Sequence, residues 1–470
     1  MGNRTSYGET REKHDPDPVG AYGEAADGQP ARRPTESTWD PSPPPESGLG
    51  DHDVRPEGQH LEGKRIALMI CGGIAAMKTP LLARALRKEG AEVTAFVSKE
   101  ALRYVTEDAL EWSTTRKVVA RLSADAEHLS DSAPFDAYLL PQATYNTINK
   151  LAHGIADGVI TSTLASAFGR LEAGTAAVLV CPTMHGSMHT SILTEALRKL
   201  ETMGVRVVPP REDYGKHNIP ADEVLVVEVC RAVSRSRLRG QRYLVTGGPT
   251  PVPIDNVRRI VNRFSGRLGI TIADELFRRG ASVWLVHGAG VMQPPAYIPH
   301  TVTRTYDEYR SEVLGALADG GGWRAGIFSA AVADYRPEQV LAGKIPSGGQ
   351  LTLELVPTPK VVREVRAAHP GLHMVTFKYQ EDMEHEALMS IARDRLRIFD
   401  TVIANRGEET EPGGPQVAWL VTREGEPRRL EGKRNIARAL ADHLEGSEQS
   451  AAARSPAGIR RPEGALTGTP

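Results

Sequence analysis

Two glycine-bearing turns stand where a strand hands over to a helix, and both have the makings of a phosphate site. The first is Cys71-Gly72-Gly73-Ile74-Ala75-Ala76-Met77-Lys78. Glycine lets the backbone approach a ligand, and a helix N-terminus presents free N–H groups to an anion. The same pattern also arises where glycine only permits close packing. The second comprises Gly247-Gly248-Pro249-Thr250 and, further on, Asn262-Arg263-Phe264-Ser265-Gly266-Arg267-Leu268-Gly269. That last run joins a capping-type residue, a glycine turn and the start of a helical stretch. Gly-Gly after a first strand also suits a dinucleotide-dependent dehydrogenase. Against that reading, the Gly-x-Gly-x-x-Gly fingerprint is absent, and the next strand ends Val286-His287-Gly288 with no acidic residue for a ribose.

The elements that must position these turns are short apolar runs alternating with amphipathic helical stretches. The runs are Ile66 to Ile70, Val93 to Val97, Ala137 to Leu140, Ala177 to Val180 and Val205 to Val208. After a basic stretch, Arg231 to Arg242, read as a linker, they resume at Tyr243 to Thr246, Val283 to Val286, Ile327 to Ser329, Val375 to Phe377 and Thr401 to Ala404. Such alternation predicts an α/β fold: two Rossmann-like parallel-sheet domains in series, with ligands beyond the carboxyl ends of the strands. The expected domains are 63–235 and 240–445. Residues 1–62 and 446–470, rich in Pro, Gly and charge and poor in branched aliphatics, read as disordered tails.

Composition narrows the function. A chain of 470 residues exceeds one core, and 40% hydrophobic with 25% charged residues is the balance of a globular protein. A formal charge of −2 lacks the cationic excess that a nucleic-acid partner demands. Cys71, Cys181 and Cys230 are too few and too scattered for a disulfide framework or a zinc site, and read as buried small residues. No apolar run approaches the roughly 20 residues of a membrane span. The N-terminus has neither a signal-type hydrophobic region nor transit-peptide composition, which predicts a cytoplasmic protein.

Four segments of the first half occur in a telling order: the Cys71-Gly72-Gly73 turn, His128 in Ala126-Glu127-His128-Leu129, Pro141-Gln142-Ala143-Thr144-Tyr145-Asn146-Thr147 (with Gly154-Ile155-Ala156-Asp157 close behind), and Pro182-Thr183-Met184-His185-Gly186-Ser187-Met188. Together they resemble flavin-containing cysteine decarboxylases, and over about Gly63 to Ala232 the first half of bifunctional phosphopantothenoylcysteine decarboxylase/phosphopantothenate–cysteine ligases. The resemblance implies FMN held by Gly73, Ser98, Thr144 and Asn146, with His128 catalytic. It also exposes two departures. His185 stands where the family has an Asn that binds the substrate carboxylate. An imidazole differs from an amide in size and charge and lacks its combined donor and acceptor. The second departure lies in Val208 to Val224, which matches a flap carrying a reducing Cys but contains none. The position falls near Pro209. Full decarboxylation, an oxidative decarboxylation that stops at the enethiol, and a degenerate structural role all stay open.

The second half, about Gly240 to Leu444, is similar to the ligase half of the same family. The matching elements are Gly248-Pro249-Thr250, Asn262 with Ser265-Gly266, Ser329-Ala330-Ala331-Val332-Ala333-Asp334-Tyr335, Lys344-Ile345 and Ala404-Asn405. The resemblance implies that CTP activates 4′-phosphopantothenate as an acyl-cytidylate, which cysteine then attacks. Asn262 would hold that intermediate and Lys344 would put positive charge on the triphosphate. Asp334 would contact the nucleotide through Mg2+, Phe377 would pack on the base, and Thr358, Lys360 and Val361 would form the loop around it. Arg393 and Arg397 fall where two lysines usually contact phosphates; four residues apart on a helix, they would equally form a solvated face. Pro346-Ser347 and Lys378-Tyr379-Gln380 depart from the family. Alternatives are a paralogue that activates another small acid and a non-catalytic FMN- or nucleotide-binding scaffold. A homo-oligomer is implied by the resemblance alone.

Overall fold

The computed structural model describes residues 42–129, 132–411 and 414–454. The first domain runs β1 (Arg65–Ile70), α1 (Thr79–Lys88), β2 (Glu92–Val97), α2 (Glu107–Thr114), β3 (Ala137–Ala143), α3 (Tyr145–Ala152), α4 (Val159–Glu172), β4 (Ala177–Pro182), β5 (Met184–His185), α5 (Ser191–Thr202), β6 (Arg206–Val207), β7 (Arg211–Asp213), β8 (Lys216–Asn218) and α6 (Asp222–Val233). Its sheet is parallel with order β2-β1-β3-β4-β6. Leu68, Ile70 and Val97 join Leu82 and Leu86 of α1 in the core on one side, and Met69, Leu140 and Val180 face α3, α4 and α5 on the other. Residues buried on both faces explain why these strands read as unbroken apolar runs.

The second domain runs β9 (Arg242–Gly247), β10 (Val252–Pro253), β11 (Arg259–Ile260), α7 (Arg267–Arg278), β12 (Ser282–Gly288), β13 (His300–Thr303), α8 (Tyr306–Ala318), β14 (Trp323–Phe328), β15 (Tyr335–Pro337), β16 (Leu355–Pro357), α9 (Val361–Ala368), β17 (His373–Gln380), α10 (His385–Arg395), β18 (Thr401–Arg406), β19 (Val417–Thr422), β20 (Arg428–Glu431) and α11 (Lys433–Arg454). Its sheet has order β13-β12-β9-β14-β17-β18-β19-β20. The first six strands are parallel, in the doubly wound order of two mononucleotide-binding halves; β19 and β20 extend the sheet antiparallel. In each sheet the strand order reverses at one point, β1/β3 in the first and β9/β14 in the second, and a crevice opens there.

Several boundaries differ from the sequence reading. Arg231 to Val233 of the expected linker are the last turn of α6, and Arg242 already belongs to β9. Where a disordered tail was expected, residues 57–62 pack: Leu61 is fully buried, and the N–H groups of Glu57 and Gly58 bond to the Lys88 carbonyl. At the other end α11 continues to Arg454 rather than stopping at 445. The disorder expected for 1–41 and 455–470 lies outside the described residues. No helix among the described residues is long and apolar enough to cross a membrane.

The domains meet through charge. His60 sits between Glu89 at the end of α1 and Glu275 on α7, at 3.1 and 3.2 Å. Arg278, almost fully buried, bonds Asp274 at 2.8 Å and reaches back to Glu89 at 3.1 Å. Arg231 donates to the carbonyls of Phe277 and Ala281 and lies over the Phe277 ring.

Candidate functional sites at two switch points

In the first domain the β1/β3 crevice gathers part of the expected set. Thr144 caps α3: its Oγ1 accepts from the Thr147 N–H at 3.3 Å and meets Thr147 Oγ1 at 3.0 Å. Thr147 Oγ1 in turn lies 3.2 Å from Cys71 Sγ, which ties the glycine turn after β1 to the cap after β3. The two glycines differ. A Cβ on Gly72 would lie 2.4 Å from Glu100 Cβ, so Gly72 serves packing. A Cβ on Gly73 would meet only Thr144 Cγ2, at 3.6 Å, so the space beside Gly73 is open on the crevice side. Ser98 joins from the end of β2, its N–H bonded to the Ile70 carbonyl, and Asn146 stands exposed in the first turn of α3. Residues 74–78 form a 3₁₀ turn before α1, so the phosphate-type N–H groups belong to that turn.

His128 is elsewhere. The carbonyl of its neighbour Leu129 accepts from Arg170 near the C-terminal end of α4, which lies toward the amino ends of the strands. No hydrogen bond among the described residues links His128 to Gly73, Ser98 or Thr144, and its Nδ1 is buried without a partner.

His185 pairs with Lys216 in a small antiparallel sheet, β5-β8-β7, which sequence reading missed because its strands are two or three residues long. The Ser187 N–H donates to His185 Nδ1 at 3.2 Å. Nδ1 is therefore the acceptor, and the proton of the neutral ring is on Nε2. The β7–β8 hairpin has no cysteine. All three thiols are buried, with burial pushing Cys71 up to about 11 and Cys181 and Cys230 up to about 12.

In the second domain the β9/β14 crevice is built from crossing turns. The Gly248 carbonyl accepts from the Ala331 N–H at 2.9 Å, Ser329 Oγ donates to the Thr246 carbonyl at 2.6 Å, and the Ala333 N–H donates to Thr250 Oγ1 at 2.8 Å. Over this crossing Asn262 Nδ2 donates to the carbonyls of Ala331 and Val332, at 3.1 and 3.2 Å. Gly266 begins α7 with φ +81°, a left-handed conformation. Beneath the turns lies His287, fully buried, which sequence reading noted only as a missing acid. Cβ atoms on Gly247, Gly248 and Gly266 would fall 3.1, 2.8 and 2.4 Å from its ring, so the imidazole is the floor of the phosphate-type turn. Burial holds that ring below the ordinary histidine range, against the opposing pull of the Gly266 and Gly288 backbone. Gly266→Ala is expected to abolish nucleotide binding by calorimetry while leaving the first domain folded. The left-handed backbone alone costs about 1–2 kcal/mol, and the new methyl would also strike His287 and Gly248.

Asp255 is a second residue that sequence reading left without a role. It accepts from the Ile345 N–H at 3.0 Å and from the N–H groups of Val257 and Arg258 at 2.7 and 2.6 Å, and pairs with the Arg258 guanidinium. These donors, Ile345 first, hold its carboxyl well below the usual range. Asp255 thereby pins the loop that carries the exposed Lys344.

The remaining candidates divide between the two faces of β17. Phe377 packs on the core beneath α7 and α11. Tyr379, on the same face, meets Phe264 edge-on at 5.2 Å, and a cleft of about 360 Å³ lies among Asn262, Arg263, Phe264, Tyr379, Gln380 and Glu381. Asp334 is held by Lys360, and the Thr358 N–H bonds the Asp334 carbonyl at 2.9 Å. Val361 is a core residue at the start of α9. Arg393 is exposed, and Arg397 points to solvent in a pair with Asp394 at 3.3 Å. The arginine of that segment turned inward is Arg395.

The sequence places this architecture among known proteins. The chain is 34% identical over 356 residues to the coenzyme A biosynthesis bifunctional protein CoaBC of Thermococcus kodakarensis, covering 74% of this chain and 87% of that one. The chain belongs to the family of bifunctional coenzyme A biosynthesis proteins. A second member, CoaBC of Methanocaldococcus jannaschii, is 29% identical over 348 residues, covering 73% of this chain and 84% of that one. The two halves match separately: residues 54–234 the family described as Flavoprotein, and residues 238–447 the DNA/pantothenate metabolism flavoprotein C-terminal domain. Among solved structures, the DNA/pantothenate metabolism flavoprotein of Streptococcus pneumoniae aligns with a TM-score of 0.40 at 25% identity, over 44% of this chain and all of that one. The matched segments meet between residues 234 and 238, where α6 gives way to β9.

Proposed function

We propose that the second domain joins 4′-phosphopantothenate to cysteine at the expense of CTP, through an acyl-cytidylate, as a step of coenzyme A biosynthesis. The observation that carries this reading is Asn262, fixed by two carbonyls of the β14 loop above the glycine turns. Its amide presents both a donor and an acceptor to an acyl-nucleotidylate and its attacking amine. Lys344, on the loop that Asp255 pins, supplies charge to the triphosphate as the acid attacks. No resident magnesium site fits these residues: Asp334 is already neutralised by Lys360, and no group of three His, Cys, Asp or Glu among the described residues could cage an ion. Any Mg2+ would arrive on the phosphates of CTP as part of the substrate, since magnesium is held by few protein ligands.

For the first domain the proposed cofactor is FMN, at the β1/β3 switch point where flavins bind in sheets of this order. The residues fit: the space beside Gly73 is open, and Gln142, two residues before Thr144, is buried with both amide atoms unpaired. An unpaired buried amide costs about 1–3 kcal/mol, which a ligand with complementary polar edges would remove. Gly73, Ser98, Thr144 and Asn146 would hold the group, whose chemistry is two-electron oxidation of a substrate thiol. His185, as an Nε2 donor, would orient the substrate carboxylate. His128, remote from this cradle within one chain, fits a site completed by a second copy. Ile74, Met77 and Leu81 stand exposed beside the glycine turn as an apolar surface for that copy. With no cysteine on the β7–β8 hairpin and every thiol buried, decarboxylation would end at the enethiol.

Purified protein is expected to carry flavin absorbance, and with phosphopantothenate, cysteine and CTP to form phosphopantothenoylcysteine by mass spectrometry. The first half should then convert it to a product lighter by carbon dioxide and two hydrogens. A colourless protein that does not take up FMN rules out the flavin reading. Loss of carbon dioxide alone would mean that another group completes the reduction.

A further inference from the structure

Residues 261–265, which lead from β11 toward α7 and carry Asn262, are all exposed. The core does not anchor their side chains, so the place of the Asn262 amide depends on what the loop grips. Asn262 itself grips the loop after β14. Its neighbours reach one strand further across the sheet, to the end of β17. Arg263 donates to Glu381 Oε1 at 2.5 Å, and the Tyr379 hydroxyl donates to that same oxygen. The Phe264 ring meets the Tyr379 ring edge-on at 5.2 Å, the geometry of a favourable aromatic pair. These contacts span the cleft that Asn262 lines.

The β17 side of the grip is braced from behind. Asp382 holds a left-handed backbone, φ +53°, and its N–H donates to the Glu408 carboxylate. Arg406 donates to the Met383 carbonyl at 2.5 Å and pairs with Glu409 at 3.1 Å. A Cβ on Gly407 would fall 2.9 Å from the Tyr379 hydroxyl and 3.1 Å from Glu381 Cγ, so the glycine leaves room for that pair. The loop side has no such bracing. The Arg263 side chain is 79% exposed, and an exposed ion pair is a weak bond. A weak bond to a fixed corner suits a loop that lifts to admit substrates and returns for the reaction.

We infer that Arg263, Glu381 and Tyr379 are positioning residues: a clasp that holds the Asn262 loop down across the ends of β14 and β17 and so fixes the Asn262 amide for amide formation. This rests on the proposed ligase reading for what Asn262 does, and on the contacts alone for how its loop is held.

Amide-hydrogen exchange on the full chain, with no substrate present, reads the clasp directly. Exchange across residues 261–266 should quicken severalfold in Arg263→Met and in Glu381→Gln while α7 is unchanged; no change overturns the inference. Single-turnover amide formation reads its consequence. Arg263→Met is expected to slow it ~5-fold, the upper range for one exposed ion pair. Tyr379→Leu, which removes the aromatic contact as well as the hydroxyl, should slow it at least ~10-fold, as a misplaced reacting group does. Arg263→Lys, which keeps the charge, should stay within about twofold of wild type. CTP affinity should hold in all of them; a loss as large as the loss of rate would mean that these residues touch the nucleotide instead. Added to Asn262→Ala, Arg263→Met should cost less than about twofold more, because two residues that act through one group are not additive. A full further loss would show that the clasp does not act through Asn262. If the wild-type chain forms no amide with CTP or ATP, the ligase reading falls, and the exchange measurement still decides whether the clasp holds the loop.

Discussion

Asn262→Ala is expected to cut the rate of amide formation by about 10²–10³-fold, the scale seen when one preorganised donor to a reacting acyl centre is removed. The side chain is exposed and spans two carbonyls of the neighbouring loop, so its loss barely touches the core. Stability should fall by no more than about 1 kcal/mol. The two effects separate in the measurement: single-turnover formation of the amide should collapse while the melting temperature and CTP affinity hold. Asn262→Asp is the sharper control. It keeps size and the acceptor but removes the donor, so it would release the Ala331 and Val332 carbonyls and place negative charge beside the triphosphate. Activity should be no better than in the alanine variant. Unchanged turnover in either variant would remove Asn262 from the reaction.

The second large effect concerns the junction of the two domains. Arg278→Met is expected to destabilise the chain by about 3 kcal/mol, because it leaves buried Glu89 with His60 and takes from half-buried Asp274 its counter-charge. Scanning calorimetry should then show two unfolding steps where the wild type shows coupled ones. His60 supplies the pH dependence. Burial opposes its charge, but hydrogen bonds to Glu275 and Glu89 raise it from 6.5 to about 9. Its contribution is therefore full below pH 6.5 and lost as pH rises through about 9. Glu275 works in the opposite sense. Burial pushes its carboxyl up, but His60 and Arg279 bring it down from 4.5 to about 2, so its contribution is present above pH 4.5 and lost as pH falls through about 2. Wild type should exceed His60→Gln in stability most between pH 4.5 and 6.5, with the gap closing above pH 9. A gap independent of pH would mean that His60 acts by packing alone. The same clamp predicts that a chain starting at Gly63 unfolds in two steps, since it lacks both His60 and Leu61.

Those two residues show where sequence reading stops. Residues 57–62 are polar and look like tail; one leucine and one histidine tie them down, and composition averages such contributions away. The long strands were legible because burial on both faces writes them as apolar runs, and Val245, Leu285, Ile327 and Val375 all lie in one core as that pattern implies. The hairpin β7–β8 and the bridges β10–β11 and β15–β16 leave no periodicity in two or three residues, although they carry Lys216 opposite His185 and flank the Asp255 loop. In the candidate site, motif and spacing singled out Asn262, Gly266 and Asp334. His287 was not, because it acts across segments distant in sequence, touching the turns after β9 and before α7. Arg393 and Arg397 had the right spacing to be neighbours, but the helix turns them outward and Arg395 inward.

The central claim, activation of a small acid as its nucleotidylate by the second domain, is tested most directly by exchange of labelled pyrophosphate into CTP with cysteine omitted. Exchange is expected to require phosphopantothenate, to continue without cysteine and to disappear in Gly266→Ala. Exchange that ignores the acid, or none with either CTP or ATP while the protein is folded, would contradict it.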